Sequence, residues 1–126
     1  MRMPLNALKA ALAGGEVQIG LWLTLAHPAA AEIAGGAGFD WCLIDGEHGP
    51  NTLTTIQAQL RALAAAGCPA VVRVAANDPV RLKQVLDLGA QSVLVPMVDT
   101  AEEAAAAVAA CRYPPRGVRG MGASVA

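Results

Sequence analysis

Charge of either sign is sparse and nearly balanced in this chain: 9 Lys and Arg stand against 10 Asp and Glu, a net charge of -1 over 126 residues. That balance leaves no basic footprint for nucleic acid and no basic amphipathic face for a membrane surface. Aromatic residues make up only 3%. Cysteine is also scarce. Cys42, Cys68 and Cys111 form an odd set at long spacings, without a paired C-x-x-C or a histidine cluster. This argues against a disulfide framework or a zinc site and for free thiols in a reducing cytoplasm. The first 13 residues carry Arg2 and Lys9 but no long apolar core, so they read as neither signal peptide nor membrane span. Leu5, Leu8 and Leu12 instead recur at helical spacing and predict a helix at about residues 3–13. Small molecules are the partners that remain.

What is present is a regular alternation. Val17 to Leu25 reads as a first strand, and Pro28 opens a helix through Ala34 that Gly35 and Gly36 close. Trp41 to Asp45 is a second strand. Thr52 to Ala66 is a helix with Leu53, Ile56, Leu60 and Leu63 on its apolar face and Gln57, Gln59 and Arg61 elsewhere. Ala70 to Val74 makes a third strand, and Asp78 with Pro79 starts a helix that runs to about Leu88. A fourth strand, Ser92 to Pro96, leads to an alanine-rich helix capped by Asp99 or Thr100 and reaching Cys111. Strands and helices alternating in this way imply an α/β fold of parallel strands joined by right-handed crossovers. Two solutions suit such a pattern, a doubly wound open sheet or a (β/α)8 barrel, and four units are about half of what a complete barrel of about 250 residues requires.

Polar chemistry gathers at one strand end. The apolar run Trp41-Cys42-Leu43-Ile44 leads straight into Asp45-Gly46-Glu47-His48-Gly49, which sets two carboxylates and an imidazole at a C-terminal mouth. In α/β folds ligands bind at that end of the sheet. His48 is one of two histidines and has acids beside it in sequence, an arrangement suited to proton transfer near neutral pH. The plainer alternative is a solvated loop whose Asp caps the next segment. Gly35-Gly36-Ala37-Gly38 precedes a strand rather than following one, so it lacks the context of a dinucleotide-binding turn. The run from Arg116 to Gly122 leaves two readings open, an anion-holding loop or a solvated one.

Seven segments in order carry a resemblance: Ile19-Gly20-Leu21-Trp22-Leu23, Ala37-Gly38-Phe39-Asp40-Trp41, Leu43-Ile44-Asp45-Gly46-Glu47-His48, Val71-Val72-Arg73, Asn77-Asp78-Pro79, Leu94-Val95-Pro96-Met97-Val98 and Arg112 to Gly120. On these the chain resembles the HpcH/HpaI aldolases. The resemblance implies a TIM barrel that reversibly cleaves 4-hydroxy-2-oxo acids into pyruvate, or a related 2-oxo acid, and an aldehyde. It implies His48 as acid/base group, Asp45 as the partner orienting it, Arg73 as the cation steadying enolate oxygens, and Trp22 as a wall of the substrate pocket. It also implies a divalent metal (Mg2+, Mn2+ or Co2+) whose Glu and Asp ligands fall on later strands, so no metal ligand is assigned among these residues. A homo-oligomer is the expected assembly. Glu47 and Asp87 receive no role.

The 126 residues are thus expected to be the N-terminal half of an aldolase barrel, with a glycine-rich tail at about 113–126 and without turnover on their own. The alternative is a non-catalytic half-barrel that binds ligands or assembles with copies of itself.

Overall fold

A computed structural model describes residues 5–122. Its elements run in chain order α1 (Ala7–Ala13), β1 (Gly20–Leu23), α2 (Pro28–Gly35), β2 (Trp41–Asp45), α3 (Leu53–Ala66), β3 (Ala70–Arg73), α4 (Pro79–Asp87), β4 (Ser92–Leu94) and α5 (Ala101–Ala110). The four strands form one sheet in the order β1-β2-β3-β4, every neighbouring pair parallel. The α/β class and the four successive strand–helix units read from the sequence are therefore what the chain adopts.

The helix boundaries follow from capping chemistry. Thr52 and Thr100 each accept from the backbone amide three residues on, and Thr55 and Glu103 return the bond, so both helices begin with a capping box. Asp78 caps α4 ahead of Pro79, and Gly67 ends α3 in the left-handed conformation. Thr100, not Asp99, is the cap of α5.

Three boundaries are corrected. The N-terminal helix begins at Ala7, not near residue 3, because Asn6 caps it and turns its amide outward to Gln91 O (3.0 Å) and Ser92 Oγ (2.9 Å). Leu5 lies outside the helix and is exposed, and residues 3 and 4 fall outside the described ones. The first strand spans Gly20–Leu23 rather than 17–25, since its ladder to β2 covers only those residues and Ala26 turns away with φ +52°. The fourth strand stops at Leu94, opposite the last residue of β3, and Pro96 has no amide hydrogen with which to extend it.

Two apolar layers flank the sheet. Cys42, Ile44 and Val72 point toward α2–α5 and join Ile56, Leu63, Leu82 and Ala31 in the larger core. The alternate residues Leu43 and Val71 face the other way and pack with Leu8 of α1 and Trp41. Gly20 permits this second layer: a Cβ there would lie 2.2 Å from the Trp41 ring. On the same face, two residues further along each strand, are Trp22, Asp45 and Arg73.

The tail is a mostly exposed loop, as read from the sequence, pinned at one residue. Among residues 113–122 there is no helix or strand, but Arg119 pairs with Asp87 at 2.6 Å, stacks on Tyr113 and is largely buried. Its guanidinium is thus engaged with α4 rather than presented to an anion, and Asp87 pairs across to the tail rather than along its own helix.

Candidate active site

Asp45 and Arg73 are register partners at the ends of β2 and β3, so the sheet itself brings the two side chains together. The pair is two-pronged: Arg73 Nε donates to Asp45 Oδ1 (2.9 Å) and Nη2 to Oδ2 (2.7 Å). Asp45 Oδ1 also accepts the amides of Glu47 (3.0 Å) and His48 (3.2 Å), which folds the loop back over the strand end. Four donors on a carboxylate only 2% exposed leave it ionised. Its pKa is lowered to about 2, chiefly by the Arg73 hydrogen bonds, which outweigh the opposing effect of burial, with help from the two amides.

The remaining edge of Arg73 belongs to Glu47, whose Oε2 lies 2.9 Å from Nη1. The face of the guanidinium stacks on the Trp22 ring, 4.6 Å from its centroid. Of the five N–H donors of an arginine, Asp45 takes two, on Nε and Nη2, while Nη1 faces Glu47 as an ion pair. Gly46 makes the crossing from β2 possible: its amide donates to Arg73 O (2.8 Å), and a Cβ would meet that oxygen at 2.6 Å.

His48 stands differently from its expected place. Its side chain is 75% exposed, and its nearest acid is Glu47, with Oε1 3.8 Å from Nε2. Among the described residues Asp45 makes no hydrogen bond to the imidazole; it holds the His48 backbone instead. In this arrangement Asp45 reaches His48 through the backbone amide, while both of its oxygens accept from Arg73 along the sheet.

Reading the sequence missed two supports. Asn51 Nδ2 donates to Asp45 O (2.8 Å), and Gln59 Nε2 donates to Asn51 Oδ1 (2.6 Å) and to Thr55 O (3.0 Å). Gln59 had been set apart from the apolar face of its helix, yet it is 1% exposed. A buried glutamine is tolerable because its amide has partners. Glu47 was missed as well. Its neighbour His48 was visible in sequence, but its bond to Arg73 comes from a strand 26 residues away.

The model of the HpcH/HpaI aldolase/citrate lyase family matches residues 18–126. The chain belongs to this family. It is 62% identical over 123 residues to a 4-hydroxy-2-oxovalerate aldolase of Novosphingobium aromaticivorans, covering 97% of this chain and 47% of that protein. It is 58% identical over 121 residues to a 4-hydroxy-2-oxo-heptane-1,7-dioate aldolase of Salmonella arizonae, covering 96% and 46%. A crystal structure of a family protein from Burkholderia cenocepacia superposes with a TM-score of 0.90 at 43% identity, covering 96% of this chain and 50% of that one. The chain thus spans about half the length of the relatives it matches, and its four units correspond to half of a TIM-barrel-like fold.

Proposed function

We propose that the complete protein is a metal-dependent aldolase that reversibly cleaves a 4-hydroxy-2-oxo acid to pyruvate, or a related 2-oxo acid, and an aldehyde. The observation that carries this reading is the Arg73 cluster at the C-terminal mouth of the sheet, in a chain so similar to proteins named as such aldolases.

The chemistry divides between two residues. His48, exposed at the mouth, takes the proton of the 4-hydroxyl as the bond between C3 and C4 breaks; the electron pair remains on C3 as the enolate, and the aldehyde leaves. Protonation of that carbon gives the 2-oxo acid. Arg73 offers Nη1 and the free N–H of Nη2 to the substrate oxygens that gain charge, held in place by Asp45 on one edge and by Trp22 beneath. Trp22, half-exposed on the inner face, is one wall of the pocket.

The residues present do not make a metal site. Among the described residues no group of three or more His, Cys, Asp or Glu is arranged to hold an ion, and both Asp45 oxygens are committed to Arg73. In this reading the ligands for Mg2+, Mn2+ or Co2+ belong to the part of the barrel that these residues do not include. The 126-residue chain alone is accordingly expected to be inactive, and the complete protein to work as a cytoplasmic homo-oligomer on small molecules, with no nucleic acid or membrane partner. Among the described residues no helix is long and apolar enough to cross a membrane.

The test is pyruvate release from 4-hydroxy-2-oxovalerate by the complete protein, with each metal and with chelator. Turnover should vanish with chelator. It should fall about 100-fold or more in His48→Ala and in Arg73→Ala, the scale of losing an acid/base group or an oxyanion donor. Undiminished turnover in both variants would remove the proposal. A complete protein without turnover, beside a short chain that forms a defined oligomer, would favour the binding or assembly module.

A further inference from the structure

The Arg73 cluster is over-supplied with negative charge. One guanidinium faces two carboxylates, Asp45 and Glu47, and both contacts are short, at 2.7 and 2.9 Å. Their attachments differ in kind. Asp45 binds in two prongs, accepts two further amides and is nearly sealed from solvent. Glu47 makes one contact, on the terminal nitrogen Nη1, and its side chain is 18% exposed. Its other oxygen, Oε1, has no hydrogen-bond partner among the described residues and lies 3.8 Å from His48 Nε2.

An incoming carboxylate or 2-oxo acid can take both terminal nitrogens of Arg73 as a fork, whereas Glu47 takes one. The stacked Trp22 ring and the Asp45 prongs fix the guanidinium plane, so the exchange requires no movement of Arg73. We infer that Glu47 is a displaceable positioning residue. It occupies the substrate-facing edge of Arg73 until the 2-oxo acid arrives, then swings the short remaining distance to His48 and supplies the acid partner that Asp45 does not. This inference rests on the aldolase reading above. It deepens it by making one side chain both a competitor for the anion and a support for the base.

The two duties give opposite signs in kinetics, which a scaffolding role would not. In the complete protein, Glu47→Gln should bind pyruvate roughly fivefold more tightly by titration calorimetry, since an uncharged amide competes weakly for a guanidinium. It should lower KM for the 4-hydroxy-2-oxo acid by a similar factor while reducing kcat about tenfold, because His48 loses an anionic partner. Glu47→Ala should share the tighter pyruvate binding, and it carries the comparison if the glutamine variant does not fold. Pyruvate affinity that is unchanged or weaker in the folded variants, with wild type binding, overturns the inference and leaves the aldolase reading standing. Absence of pyruvate binding in wild type and variants alike overturns both.

Discussion

Replacing Asp45 by Asn tests the electrostatic centre of the fold in one atom. The carboxylate is 2% exposed, and its pKa is lowered to about 2 from an ordinary value near 3.8. A depressed carboxylate stabilises the fold when ionised. The gain is complete above the unfolded value near 3.8 and fades as pH falls toward the folded value of about 2. At about 1.4 kcal/mol per unit, the difference amounts to about 2–3 kcal/mol of stability at neutral pH. In Asp45→Asn the oxygen facing Arg73 Nη2 becomes an amide when the oxygen facing Nε is kept, which sets donor against donor where 2.7 Å now joins them. The variant should therefore be less stable than wild type by about 2 kcal/mol or more at pH 7, and the gap should narrow between pH 4 and pH 2. Urea unfolding of the 126-residue chain, followed by the fluorescence of Trp22 and Trp41 at a series of pH values, gives both curves. Wild-type and variant curves that stay parallel from pH 7 to pH 2 would refute the assignment of this energy to the Asp45–Arg73 pair.

Other outcomes follow from the same geometry. Gly20→Ala drives a Cβ into the Trp41 ring and should cost about 1–3 kcal/mol in urea unfolding, with Trp fluorescence altered in the native state. His48→Ala should leave the unfolding midpoint within error of wild type, since the ring is 75% exposed, while Arg73→Ala should lower it by stranding Asp45; equal shifts would contradict the site geometry. Burial, together with the neighbouring Cys68 sulfur at 3.8 Å, pushes the Cys42 thiol up to about 12, so iodoacetamide at pH 8 should leave Cys42 unmodified in the native chain and alkylate it in urea. Mass spectrometry of the peptides reads this directly.

How much of this was legible beforehand depends on the range of the interaction. Helices and strands were readable because their causes are local: Thr52, Asp78 and Thr100 cap, Gly67 terminates, and Trp41 to Asp45 is a strand with its stated ends. Strand lengths at the sheet edges were less so. Val17–Ile19 and Val95–Pro96 have strand-like composition, but pairing ends where the partner strand ends, a property of β2 and β3. In the site, the residue types at the C-terminal mouth were visible, and their pairing was not. Sequence proximity favoured Asp45 as the partner of His48, while cross-strand register gave Asp45 to Arg73. Gln59 escaped notice because a polar residue on a helix is ordinarily exposed, and only the Asn51 side chain across the turn makes its burial tolerable.

The same register explains why the site and the apolar inner layer share one face. Along β2, Trp41 and Leu43 pack on Leu8, and the next residue on that side is Asp45. Along β3, Val71 is followed by Arg73. Each strand therefore passes from an apolar floor, closed by α1, to a charged rim, and the small cleft of about 280 Å³ between Leu8, Trp22, Leu43 and Leu94 marks the transition. That gradient stops abruptly at β1. Beyond it Leu25 and Ile33 are exposed around a second cleft of about 510 Å³, where apolar surface and the unpaired strand edge lie together. An open edge flanked by apolar side chains is costly in water and promotes pairing with another chain. In relatives twice as long, further sequence is available to cover such an edge. Supplying the remaining half of the barrel in trans should therefore raise the unfolding midpoint of this chain and suppress its concentration-dependent light scattering. If neither changes on mixing, the exposed edge is not the surface on which the fold is completed.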